Sequence, residues 1–164
     1  MILADIYEFL DSIDVSYERF DHPAVFTVSE AKRLSPEMDG ASTKNLFLRD
    51  KKGIRHFLVT VPQDKQVDLK ELSSILEASR LSFASPDRLK THLGIDPGSV
   101  SLLALLNDSE KKVEVFIDNE LWDAEIILCH PLVNTSTLAV PRDGIKQFLE
   151  NTGHTLRLVE VPVK

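Results

Sequence analysis

The sequence predicts an α/β (α+β) fold with a mixed, strongly curved β-sheet flanked by helices. Three observations point there. Helix-spaced apolar positions alternate along the chain with short β-rich runs. Between residues 102 and 140 several such runs follow one another across short turns, an antiparallel signature. At 164 residues and 43% apolar, the chain can bury roughly 70% of its unfolded surface, so its core needs no disulfide or metal staple. No internal repeat, low-complexity tract or long linker interrupts it, and residues 1–164 are expected to form a single domain.

The elements follow in order. Ile2, Leu3, Ile6, Phe9, Leu10 and Ile13 share a helical face, with Asp5, Glu8 and Asp11 opposite. A short strand is expected around Val15 to Phe20, ended by Asp21-His22-Pro23. Thr27-Val28-Ser29-Glu30 has capping-box spacing and predicts a helix to about Leu34, stopped by Ser35-Pro36. Lys44 to Arg49 and Ile54 to Val61 read as a hairpin around Asp50-Lys51-Lys52-Gly53. Asp68 to Glu71 repeats the capping spacing and opens a helix through about Glu77. A strand over Arg80 to Ala84 precedes a helix bracketed by Ser85, Pro86 and Gly94. Strands are then expected at Leu102 to Leu106, Val113 to Ile117, Ala124 to Leu128 and Thr137 to Val140. Pro141 starts a last helix to about Asn151, and Thr155 to Val161 reads as a terminal strand.

Composition excludes several classes. The longest apolar run, Leu102 to Leu106, is far short of the roughly 20 residues of a membrane span. The first eleven residues have no basic leader and carry acids among their apolar positions, so neither secretion nor membrane insertion is expected. Cys129 is the lone cysteine and fits a reducing cytoplasm. The net charge of −7 argues against a protein that coats duplex nucleic acid through a uniformly basic surface. A local cationic patch is still compatible with it.

The polar residues carry no standard catalytic motif. His22, His56, His92, His130 and His154 are scattered, with no metal-ligand spacing, and no metal is expected. There is no G-x-S-x-G elbow. Cys129 and His130 are strand neighbours that point to opposite faces, so they form no dyad, and a buried inert cysteine is expected. Three stretches are richer in polar groups than a bland turn requires: Thr43-Lys44-Asn45, Gly94 to Ser101, and His130 to Thr137. Each alone reads more readily as structural: a solvated strand end, an ordinary turn or a capped bend.

Taken together, four segments in order and spacing carry a resemblance: His22-Pro23-Ala24-Val25-Phe26-Thr27, Lys44-Asn45-Leu46-Phe47-Leu48-Arg49-Asp50, Pro97-Gly98-Ser99-Val100-Ser101 with Asn107-Asp108, and His130-Pro131-Leu132-Val133-Asn134-Thr135. The chain resembles the YbaK-like aminoacyl-tRNA editing family over nearly its whole length, most closely the free-standing prolyl-tRNA editing proteins. The resemblance implies a barrel-like mixed sheet and a cytoplasmic, cofactor-free and metal-independent trans-editing hydrolase that deacylates Ala-tRNA(Pro). Its partners would be the acceptor end of tRNA(Pro) and prolyl-tRNA synthetase, with no membrane involved.

Carried onto this sequence, the resemblance makes Lys44 the main polar group, an ammonium for the terminal phosphate and the ester carbonyl. His130 would position substrate or orient water. The Gly98-Ser99 backbone would supply oxyanion donors, and Asn45 and Asn134 would bind substrate. Phe26 and Thr27 would wall a small pocket that excludes proline sterically. The helix from Val28 to Leu34 would face the tRNA through Lys32 and Arg33. The pattern departs at one loop: the family's Gly-x-x-x-Pro ends here in Leu102, followed by Leu103-Ala104 instead of Phe-Gly. That departure supports an alternative, a catalytically silent tRNA- or synthetase-binding module of the same fold. A small acyl-ester or thioester hydrolase without RNA is a third reading.

Overall fold

A computed structural model of the chain describes residues 5–24 and 40–164. Helix α1 (Ile6–Ser12) starts where Asp5 accepts the backbone N–H groups of Tyr7 and Glu8, and it buries Ile6 and Leu10. Strand β1 (Glu18–Asp21) follows. The helix expected over residues 27–34 and its Ser35-Pro36 stop lie outside the described residues. Strands β2 (Thr43–Arg49) and β3 (His56–Pro62) form the expected hairpin, with Lys44 opposite Val61 and Asn45 opposite Thr60. The Asp50 carboxylate closes the turn by accepting from the N–H groups of Ile54 and Arg55.

Helix α2 (Leu69–Ile75) begins at the predicted cap, Asp68. The next strand is shorter than expected: β4 is only Ser82–Phe83. Helix α3 (Pro86–Leu93) has Ser85 as N-cap and ends at Gly94, whose φ of 68° is the left-handed conformation that favours glycine there. Two 3₁₀ turns come next, Pro97–Ser99 and Leu102–Asn107. The second corrects the strand expected at Leu102 to Leu106. A continuous apolar run has no period to separate strand from helix. Here Leu102, Leu103, Ala104 and Leu105 are all at most 1% exposed, and Ser101 caps the turn by accepting from the Leu103 N–H.

Strand β5 (Val113–Asp118), helix α4 (Asn119–Trp122), strands β6 (Ile126–Cys129) and β7 (Ser136–Pro141), helix α5 (Arg142–Thr152) and strand β8 (Arg157–Val159) complete the order. The strands make two sheets. One is β1-β7-β6, antiparallel throughout; the other is β4-β2-β3-β5-β8. Strand β5 runs parallel to both β3 and β8, so the antiparallel expectation fails for this half of the larger sheet. The chain between β3 and β5 is long enough, and helical enough, for the crossover a parallel pair needs.

The fold is mixed α/β, as expected, but neither sheet closes on itself among the described residues, and the barrel expectation is not met. The two sheets adjoin at Ala41. Its N–H donates to the Ile126 carbonyl at 2.9 Å and its carbonyl accepts from the Leu128 N–H at 3.0 Å.

Alternation along β2 and β3 separates two apolar clusters. Phe47 and Leu58 join the larger one with Val115, Ile117, Leu103, Leu138 and Phe148. Leu46, Leu48, Phe57, Val59 and Val61 join the other with Leu72, Leu76 and Phe116. Both faces of the central strands are therefore covered, which explains why β3 is a near-continuous apolar run.

Candidate functional site

The beginning of β2, the ends of β1 and β6, the beginning of β7 and the Pro97–Ser101 segment converge on one polar cluster. Asn45 is its strand-borne anchor. Its side-chain carbonyl accepts from the buried Thr60 hydroxyl at 2.6 Å, and its amide donates to the Val100 carbonyl at 3.4 Å. One position earlier on the same face, the Thr43 hydroxyl donates to the Leu128 carbonyl at 2.7 Å. Ser101, fully buried, donates to the His130 carbonyl at 2.5 Å. These bonds tie β2, the Pro97–Ser101 segment and β6 into one unit.

His130 stands just past the end of β6, half-buried. Its Nδ1 lies 3.0 Å from the Ser136 carbonyl. A carbonyl only accepts, so Nδ1 carries the proton and Nε2 of the neutral ring is an acceptor. Burial is the main force holding its pKa below the ordinary 6.5; the Ser136 bond opposes it and His22 reinforces it. The His22 and His130 rings meet edge to face at 6.4 Å. His22 is itself fixed: Nδ1 donates to the Pro23 carbonyl at 2.9 Å, and Nε2 pairs with the Thr137 hydroxyl at 2.8 Å. Asp21 accepts from the Ser136 hydroxyl at 2.6 Å, which with Arg19 lowers its pKa. Within the connection from His130 to Thr135, Leu132 adopts φ 69°, a strained conformation for a branched residue.

The sequence-derived candidates are distributed unevenly around this cluster. Asn45 and His130 are in it. Gly98 and Ser99 lie in the 3₁₀ turn beside it, and the Ser99 N–H donates to the Asp96 carbonyl at 2.9 Å, so that donor is already engaged. Asn134 is half-buried in the bend after His130. Lys44 is half-buried at the second position of β2. Strand alternation puts it on the Leu46 and Leu48 side, opposite to Asn45, and no carboxylate among the described residues pairs with it. Phe26, Thr27, Lys32 and Arg33 lie outside the described residues.

Sequence reasoning missed Thr60 and Asp21 as parts of the site; Ser136 and Thr137 lie in the polar stretch it singled out but carried no assigned role. Thr60 had a signal: it is the one polar side chain in the buried run Phe57 to Val61, and a buried hydroxyl demands a partner. Cys129 is buried, as expected, with its thiol pushed up to about 12. Among the described residues, no three His, Cys, Asp or Glu side chains gather as metal ligands, and no helix is long and apolar enough to cross a membrane.

The fold and cluster define a class: an α/β domain with a polar site built where two sheets adjoin, holding two tautomer-fixed histidines, His22 and His130. Residues 22–148 match the model of the aminoacyl-tRNA editing domain, and the chain belongs to that family. The chain is similar to the prolyl-tRNA editing protein ProX of Acetoanaerobium sticklandii, 34% identical over 152 residues and covering 93% of each chain. It is also similar to prolyl-tRNA synthetase associated domain-containing protein 1 of Danio rerio, 39% identical over 92% of this chain and 83% of that protein. Among solved structures, a candidate trans-editing enzyme for prolyl-tRNA synthetase shares the fold with TM-score 0.70 at 16% identity, over the full length of both chains.

Proposed function

We propose that the protein is a trans-editing hydrolase that deacylates mischarged tRNA, with Ala-tRNA(Pro) as its substrate. The observation that carries this reading is the neutral His130 held beside the Pro97–Ser101 segment in a chain of the editing family. An aminoacyl ester is activated, so the site has to position water and stabilise a tetrahedral oxyanion rather than supply a strong nucleophile. Water adds to the ester carbonyl, the tetrahedral species collapses, and free alanine and the ribose hydroxyl of the tRNA leave.

In this reading His130 Nε2 accepts a hydrogen bond from the attacking water or from the terminal ribose. The Gly98 N–H faces the oxyanion, since the Ser99 N–H is occupied. Lys44 uses the reach of its four-carbon stem at the strand end to place its ammonium on the terminal phosphate and ester. Asn45 and Asn134 hold the terminal nucleotide, and Phe26 and Thr27 wall the pocket that rejects proline. The reaction takes no metal or cofactor. The protein works in the cytoplasm, on the acceptor end of tRNA released by prolyl-tRNA synthetase, its second partner.

The test is hydrolysis of Ala-tRNA(Pro) and Pro-tRNA(Pro) by the purified protein, with and without chelator. Release of alanine alone, unaffected by chelator, is the expected result. Retained tRNA binding without hydrolysis would instead make the chain a silent binding module.

A further inference from the structure

Strand β1 ends at Asp21, whose ladder partner is Ser136, and the chain leaves the sheet through His22. These two residues hold the start of β7 by three bonds outside the ladder. The His22 N–H donates to the Thr135 carbonyl at 2.9 Å. The Asp21 carboxylate accepts from the Ser136 hydroxyl at 2.6 Å. The His22 ring carries its proton on Nδ1, bonded to the Pro23 carbonyl, so Nε2 of the neutral ring accepts from the Thr137 hydroxyl at 2.8 Å. Thr135, Ser136 and Thr137 are thus each tied to the end of β1. The middle one supplies the carbonyl that takes the His130 Nδ1–H.

The connection leading into this stretch is under strain. It passes through Leu132 at φ 69°, and a branched side chain keeps that conformation only where its surroundings over-determine it. At its start Ser101 donates to the His130 carbonyl at 2.5 Å, and at its end the His22 N–H takes the Thr135 carbonyl. His22 also meets the imidazole itself. The two rings stand 63° apart with centroids at 6.4 Å, an edge-to-face contact that resists rotation of either one. Ladder pairing accounts for β1 as a strand. It does not account for a half-buried imidazole at the strand's end with both ring nitrogens engaged.

We infer that His22 is a positioning residue for His130, acting through the Thr137 hydroxyl and the ring contact to fix the plane in which His130 presents Nε2. The inference rests on the deacylase reading for the reaction and adds the residue that orients its histidine. His22 touches no reacting atom and takes no proton from the reaction. An acceptor already held in one plane need not be ordered during the reaction, and losing that order costs about tenfold to a hundredfold in rate.

The experiment has two readouts on the purified full chain. One is nitrogen-15 NMR of the His130 ring in the free protein at neutral pH; the other is kcat and KM for alanine release from Ala-tRNA(Pro). His22→Leu removes both ring nitrogens, whereas His22→Gln puts an amide oxygen where Nε2 accepts from Thr137. The wild type should show well-separated His130 signals for a protonated Nδ1 and a bare Nε2. His22→Leu should draw them together, toward a freely exchanging imidazole. It should also lower kcat by about tenfold to a hundredfold with KM changed less than about twofold. His22→Gln should restore the separation and bring kcat back to within about threefold of the wild type. Should His22→Leu not fold, Thr137→Val removes the other half of the bond and should give the same averaging. Wild-type His130 signals and kcat in folded His22→Leu, or a His22→Gln variant as impaired as His22→Leu, would overturn the inference, since His22 would then hold only the end of β1. No alanine release by the wild type, with the His130 signals still averaged by His22→Leu, would overturn the deacylase reading alone.

Discussion

His130 directs its Nδ1–H at the Ser136 carbonyl, 3.0 Å away, across a connection in which Leu132 is held at φ 69°. The bond spans six residues of chain and fixes both the tautomer and the plane of the ring. An imidazole held this way offers Nε2 as an acceptor throughout the neutral range. It gains a charge only when the pH falls below its lowered pKa.

That relationship sets a pH dependence. Burial keeps the His130 pKa below 6.5, so the neutral form that the proposed mechanism uses persists as pH falls through 6.5 and is lost at lower pH. The single-turnover deacylation rate, corrected for uncatalysed hydrolysis, should have its acid limb below 6.5. A limb centred above 6.5 would remove the neutral imidazole from the mechanism.

A second histidine controls stability rather than chemistry. His56 is 4% exposed, stacked on Phe47, 4.1 Å from the His92 ring and 3.0 Å from Arg88. Burial first, then His92 and Arg88, pushes its pKa down to about 4. Above 6.5 the group is neutral in both folded and unfolded chains and costs nothing. Between 6.5 and 4 the unfolded chain takes the proton and the folded one does not, so stability falls, by up to ~3 kcal/mol. Urea unfolding at pH 7 and pH 5 should show this loss for the wild type, and a smaller one for His56→Gln.

Asn45 joins Thr60 to Val100, and its removal should be felt in both stability and the site. Asn45→Ala leaves the buried Thr60 hydroxyl without that acceptor, at about 1–3 kcal/mol. The double variant Asn45→Ala, Thr60→Val should recover part of that loss in a denaturant midpoint. It should not recover activity, because Val100 still lacks its tie to β2.

Cys129 should be silent. With its thiol buried and pushed up to about 12, it has almost no thiolate at neutral pH. Alkylating reagents should leave the folded protein unlabelled and fully active. Stoichiometric labelling that tracks loss of activity would show a reactive thiol instead.

The sequence was most informative where local chemistry decides structure. Asp68, Ser85, Pro86 and Gly94 mark helix ends through capping and φ preferences that depend on few neighbours. The β2-β3 hairpin was legible for the same reason. Strand partnership was not: nothing in the Val113 to Ile117 run says that β5 lies parallel to β3, because that follows from a long crossover. Leu102 to Leu106 misled because an unbroken apolar run has no period.

For the site, the residue types at Asn45 and His130 were legible. The pairing of His22 with Thr137 spans 115 residues and emerges only when β1 joins β7. Likewise Lys44 and Asn45 are neighbours in sequence but face opposite sides of β2.

The central claim is most directly tested by single-turnover release of alanine from Ala-tRNA(Pro) at saturating enzyme, comparing the wild type with Lys44→Ala. Saturation removes simple loss of binding from the comparison. The account predicts rapid release by the wild type and a folded Lys44→Ala variant slower by about a hundredfold, about 3 kcal/mol of transition-state stabilisation. No release by the wild type would contradict the deacylase function. An unchanged rate in the variant would return Lys44 to the ordinary surface of β2.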